Sequence, residues 1–183
     1  MVLDAYQPSP GWFAHNPDGI HGIRHVARVL VWADRLAEWT VGQGHPVDIE
    51  VVRWAAVLHD VGRLDDGRDP EHGKRSAEWL SENHSRLFPG IDRERIEAIQ
   101  YCCTWHVPSD TEIPEMTSEL KCLKDADGLD RVRLGDLKPS YLRTPYARAL
   151  TADAQVLLDA TRQVTGGSWE LVRAAAIERG WWR

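Results

Sequence analysis

Apolar residues return at helical intervals along most of this 183-residue chain, and no stretch alternates as a strand would. From Ile20 to about Thr40, the positions His21, His25, Arg28/Val29, Trp32 and Leu36 share one helix face. Asn16-Pro17-Asp18 ahead of it carries a capping residue, a first-turn proline and an acid, which together predict a helix start. Gly42 to Pro46 breaks the pattern. Asp48 is the expected cap of a second helix, whose run Val51-Val52-Arg53-Trp54-Ala55-Ala56-Val57-Leu58 is apolar almost throughout and which ends near Gly62. After a polar loop from Leu64 to Arg68, Asp69-Pro70-Glu71 repeats the start signal. The third helix then carries His72, Ser76 and Trp79 on one side and stops before Pro89-Gly90. A fourth runs from Ile91 to about His106, with Ile96, Ile99, Cys103 and His106 in register, and a fifth from about Glu115 to Leu134. Two more follow, near Pro145–Val164 and Ser168–Arg179, while the Pro- and Trp-rich residues 1–15 read as an extended arm held down by Trp12 and Phe13. The expectation is one all-α domain of seven or eight helices: an arm (1–15), a helical core (16–135) and C-terminal covering helices (136–183). A chain of this length buries roughly 70% of its unfolded surface.

Composition narrows the function classes. Hydrophobic residues make up 43% and charged residues 27%, an ordinary globular balance. The net charge is −6 and no Lys/Arg run exceeds two residues, which argues against a general nucleic-acid or membrane-surface binder. Three cysteines, Cys102, Cys103 and Cys122, are an odd number without zinc-ribbon spacing, so reduced thiols in a cytoplasmic setting are expected. No basic region followed by an apolar run opens the chain, and no apolar stretch approaches the ~18 residues of a membrane span.

The chemistry gathers at the end of the second helix, where an apolar run meets His59-Asp60 and then Gly62. Burying such polar groups unpaired costs roughly 2–7 kcal/mol, so they must be paired or bound. Adjacent helical residues point about 100° apart, and both can reach one ion beside the helix. Other helices deliver His25, His106 and Asp127 to apolar faces, and His72 opens the third helix. Helical bundles assemble metal sites from inward side chains in this way. Imidazole with carboxylate suits Fe, Mn, Co, Ni or Zn rather than Ca. Asp125 and Asp127 lie about 200° apart on a helix, so only one can face a given ion, and periodicity does not choose between them.

The order His25 … His59-Asp60 … Asp127 resembles the HD-domain superfamily of metal-dependent phosphohydrolases. Its context is His25-Val26-Ala27-Arg28-Val29, Leu58-His59-Asp60-Val61-Gly62-Arg63 and Lys124-Asp125-Ala126-Asp127-Gly128-Leu129-Asp130. The resemblance implies a helical bundle around a divalent metal held by His25, His59, Asp60 and Asp127, the last chosen because its Ala-Asp-x-Leu setting resembles the family's. His72 and His106 stand where some members carry two histidines for a second ion, so one ion is expected and a second is allowed. The implied activity is hydrolysis of a phosphate ester or phosphoanhydride in a small soluble substrate, a nucleotide being one candidate. Asp60, Arg28, Arg63 and Lys74 are the expected catalytic and phosphate-binding groups, with Lys124, Arg131 and Arg143 as further phosphate candidates. The same six ligands resemble the superfamily's diiron oxygenases, and a non-catalytic metal-stabilised nucleotide-binding module is the third reading. His21, one turn before His25, is expected beside the ligands. No Gly-Tyr-Pro follows the His-Asp pair, as it does in larger signalling members, which points to a small stand-alone protein, monomeric or homodimeric.

Overall fold

Helix α1, Ile23–Gly42, is the axis of the bundle and is buried on almost every side. The computed structural model describes residues 1–162 and 168–182. Around α1 pack α2 (Ile49–Leu58), α5 (Ser118–Asp130) and α8 (Ser168–Glu178), while α3 (His72–Leu87) lies along α4 (Arg93–Trp105). Two shorter helices, α6 (Pro145–Ala149) and α7 (Thr151–Thr161), complete eight α-helices among the described residues, which include no strand. The all-α reading is therefore correct.

Side-chain caps set several of the helix starts. Asp48 accepts from the Glu50 and Val51 amides at 3.0 and 3.3 Å, Asp92 from Arg95 N at 2.9 Å, and Thr117 from Leu120 N at 3.2 Å. Each satisfies N–H groups that the helix cannot pair internally.

Four boundaries differ from the sequence pattern. Asn16 does not start α1: its side chain accepts from Asp18 N at 3.0 Å in a local turn, and Ile23 N bonds back to Pro17 O at 2.7 Å. His21 therefore precedes the helix, and its place near His25 comes from the turn rather than from i,i+4 spacing. Residues 1–15 are not an extended arm. They form two 3-10 turns, Val2–Tyr6 and Pro10–Trp12, with Leu3 and Tyr6 buried and Trp12 packed on Trp79 and Phe88. Asp4 fastens this segment to the C-terminus through Arg173 (2.7 and 3.1 Å) and Trp182 Nε1 (2.9 Å). The fifth helix tightens to a 3-10 turn at Arg131–Leu134, and the span from Pro145 divides at Leu150; Val164 falls outside the described residues.

Two glycines let the elements approach closely. A Cβ on Gly62 would meet Ser76 N at 2.5 Å, where the turn after α2 abuts α3. A Cβ on Gly73 would meet Cys103 O at 2.3 Å, where α3 crosses α4. That crossing brings His72 to His106.

Candidate metal centre

Four histidines converge beneath the bundle surface, and each has one ring nitrogen engaged behind it. His25 donates from Nδ1 to Asp130 Oδ2 (2.7 Å), His59 to Ala56 O (2.8 Å) and His106 to Cys103 O (2.6 Å). His72 Nδ1 donates to Asp69 O, its closer partner, with Arg63 Nη1 3.0 Å from the same nitrogen. A carbonyl or carboxylate oxygen can only accept, so each Nδ1 carries the proton and each Nε2 presents a lone pair inward.

These lone pairs face one another and two aspartates. His25 Nε2 lies 3.2 Å from His59 Nε2, and Asp127 Oδ1 is 3.5 Å from the first and 4.0 Å from the second. Asp60 Oδ2 joins this group, 3.4 Å from His25 Nε2 and 3.8 Å from His59 Nε2. Asp60 Oδ1 turns the other way, 2.9 Å from His72 Nε2 and 3.8 Å from His106 Nε2, which are themselves 2.9 Å apart. Two imidazole lone pairs at 3 Å repel unless a cation is shared between them. Ligands about 2.0–2.2 Å from a metal sit roughly 2.9–3.5 Å from each other, close to these separations. The donor set thus fits divalent metal: His25, His59, Asp127 and Asp60 Oδ2 on one side, His72, His106 and Asp60 Oδ1 on the other.

The electrostatics agree. Burial pushes the Asp60 carboxyl up, but the surrounding imidazoles outweigh it and keep it ionised, well below the usual carboxylate range. Asp127 is lowered likewise, His25, His59 and Arg133 outweighing burial. Burial drives His59 down to about 3, so it is neutral, as a metal ligand must be. His25 shifts the opposite way: despite burial and Arg133, the Asp130 and Asp60 carboxylates raise it. A positive charge is favoured where these side chains meet.

Residues 22–132 match the family model described as HD domain. The chain belongs to the HD-domain family. Most of that family are metal-dependent phosphohydrolases, and HD domains bind divalent metals. No curated protein and no solved structure matches.

Within this HD domain, the two aspartates that sequence periodicity left equivalent take separate jobs. Asp127 faces the histidines. Asp125 is fully buried on another side of α5 and accepts from the Arg143 and Thr144 amides at 2.7 and 2.9 Å. Arg28 is not in the cleft. It is buried behind His25 and clamps Asp130 with two hydrogen bonds, Nε to Oδ1 at 2.6 Å and Nη2 to Oδ2 at 3.0 Å. Lys74 is also absent from the cleft: two positions beyond His72 it points to the opposite side of α3 and is exposed. Lys124 lines the cleft, but its ammonium is committed to the ends of α4, donating to Trp105 O, His106 O and Pro108 O at 3.3, 3.1 and 2.6 Å.

Arg63 does reach the centre. Its Nη2 donates to His21 Nε2 (3.1 Å), which fixes the His21 tautomer so that Nδ1–H donates to Asp60 Oδ2 at 3.0 Å. Arg63 Nε is buried with no partner. Arg133, which sequence reasoning passed over, lies against His21 as well, with Nη2 3.0 Å from Nδ1, and is anchored on Ile20 O at 3.0 Å. Asp130, behind His25, is a further residue of the centre to which the sequence pattern assigned no role. Its signal was its position one turn beyond Asp127, where a carboxylate can back a ligand.

The cleft above the cluster has a volume of about 820 Å³. Seven lysines and arginines line it, against four aspartates.

Proposed function

We propose that this HD-domain protein is a metal-dependent hydrolase that cleaves a phosphate ester or phosphoanhydride bond in a small substrate. The observation that carries the reading is the outward pairing of every Nδ1 in the cluster, which leaves four Nε2 atoms and two carboxylates aimed at two adjoining positions. Asp60 spans both, with one oxygen toward each histidine pair. Divalent metal bound there supplies a water of lowered pKa and positive charge for the phosphoryl oxygens.

The chain's own groups supply the rest. Asp130, clamped by Arg28, holds the His25 ring in the orientation and tautomer that expose Nε2. His21 steadies Asp60 through its Nδ1–H. Arg63, with a buried donor still free, and Arg133 stand beside the ligands, where guanidinium N–H groups can neutralise phosphoryl oxygens as charge develops. The cationic lining of the cleft favours a phosphorylated substrate.

Phosphate release from a panel of phosphomonoesters and phosphoanhydrides, measured with Mn²⁺ or Co²⁺ and without oxygen, tests this. The expected result is metal-dependent release abolished by His59→Ala. No release from fully loaded protein would overturn the reading, and iron-dependent oxygen uptake in its place would favour the oxygenase chemistry.

A further inference from the structure

The cleft carries charge opposite in sign to the chain. The protein has 22 Lys and Arg against 28 Asp and Glu, yet cations outnumber acids seven to four along the cleft. Two of those four aspartates, Asp60 and Asp127, belong to the metal centre. Much of the excess comes from residues 133–148, which form one wall and lie C-terminal to the segment that matches the HD-domain model.

The wall is held firmly from behind. The buried Asp125 carboxylate grips the Arg143 and Thr144 amides, and Arg143 Nη2 reaches Asp110 Oδ1 at 2.6 Å. Arg131 is likewise paired, with Asp136. Lys138 and Arg148 differ. Both are exposed at the cleft, and neither has a carboxylate partner among the described residues. Lys138 Nζ instead lies 5.3 Å from the centroid of the Tyr141 ring, itself 69% exposed. The acids beside this wall, Asp136 and Asp110, are taken by Arg131 and Arg143, so neither serves these two cations. The cleft volume suits a molecule of drug-like size rather than a lone phosphoryl group.

We propose that Lys138 and Arg148 form a second anion subsite, so that the substrate carries two separated anionic groups. One meets the metal centre with Arg63 and Arg133. The other, a phosphate or comparable dianion, is taken up by the ammonium and guanidinium of the 133–148 wall, separate from the histidine cluster. The inference rests on the hydrolase reading for the first group and on the wall's unpaired cations for the second. It makes this wall the determinant of which phosphorylated compound is chosen.

The test is calorimetric binding to metal-loaded protein, using non-hydrolysable alkane bisphosphonates of graded chain length and the matching monophosphonates. Wild type is expected to prefer one bisphosphonate by about 10-fold or more, as charge-assisted contacts at a second site require. The double variant Lys138→Ala/Arg148→Ala is expected to lose that preference, and Lys74→Ala, which removes a cation outside the cleft, to keep it. No preference at any chain length, or one that survives the double variant, would overturn the subsite. Phosphate release on the same preparations separates the two claims. Release without bisphosphonate preference defeats the subsite alone, whereas the predicted preference without release upholds the subsite and defeats the hydrolase reading.

Discussion

Asp130→Asn is the most informative single substitution, because one buried carboxylate serves two neighbours. Asp130 is 1% exposed, accepts from His25 Nδ1 at 2.7 Å and holds Arg28, itself 4% exposed, through bonds of 2.6 and 3.0 Å. Burial acts to raise its carboxyl, but Arg28 and His25 hold it far below the ordinary range, so the native state carries the charge. Neutralising it strands the Arg28 guanidinium, and breaking such a buried pair costs roughly 3–5 kcal/mol. At roughly 2–4 °C per kcal/mol for a chain of this size, the metal-free protein should melt about 6–20 °C lower. His25 also loses the charged acceptor that fixes its ring, which typically costs about 10–100-fold in metal affinity. Thermal melts of the metal-free variant and calorimetric metal titrations read the two effects separately. Adding Arg28→Met removes the stranded charge and should restore much of the stability without restoring metal affinity. If metal affinity is unchanged in Asp130→Asn, or returns with stability in the double variant, Asp130 acts only through folding and its role at His25 is refuted.

Other consequences follow from the packing. Gly73→Ala places a methyl group 2.3 Å from Cys103 O and 3.0 Å from the His106 ring, so α3 and α4 must separate. Overpacking of this kind costs about 1–3 kcal/mol, and metal analysis should show weakened binding at the His72–His106 side with the His25–His59 side retained. Burial pushes the Cys122 thiol from 9.0 up to about 11, with Thr40 partly offsetting. The folded pKa is the higher one, so the contribution of this thiol is intact below about pH 9 and is lost as pH rises through 11, by up to roughly 2.7 kcal/mol. Denaturant titrations across that window should show the loss, and Cys122→Ala should reduce it by that share, leaving the part that comes from Cys102 and Cys103, whose thiols burial also raises. Asp4→Ala releases Arg173 and Trp182 from the N-terminal turn; the pair is partly exposed, so equilibrium unfolding should show only a small loss of stability.

The helices were legible because their punctuation is local. Asp48 announced α2, and Pro89-Gly90 and Pro108 to Pro114 marked loops that the structure keeps as breaks. The family was legible because His25, His59-Asp60 and Asp127 stand in order on three helical stretches, the first, second and fifth. What failed needed tertiary information. Asn16-Pro17-Asp18 has the chemistry of a helix start, but the Asn16 side chain prefers its own turn, and Gly19 and Gly22 delay the helix to Ile23. Arg28 was marked for substrate by nearness to a ligand in sequence, yet it lies one turn behind His25 and faces Asp130, a residue 102 positions away. Lys74 was named among the phosphate-binding groups, and the 200° between it and His72 on α3 sends it to solvent. In the sequence pattern Arg133 and Arg148 fall on two different helices and Lys138 in the segment between them, so no pattern brought the three to one cleft.

The central claim is that His59-Asp60 and its partners hold metal, with Asp60 shared between two positions. Metal content per chain, measured by elemental analysis on wild type, His59→Ala, His72→Ala and Asp60→Ala, tests it most directly. The account predicts two ions per chain in wild type at saturation. His72→Ala should retain about one, and Asp60→Ala little of either, because removing a shared ligand weakens both positions. Metal content unchanged by both His59→Ala and Asp60→Ala would contradict it.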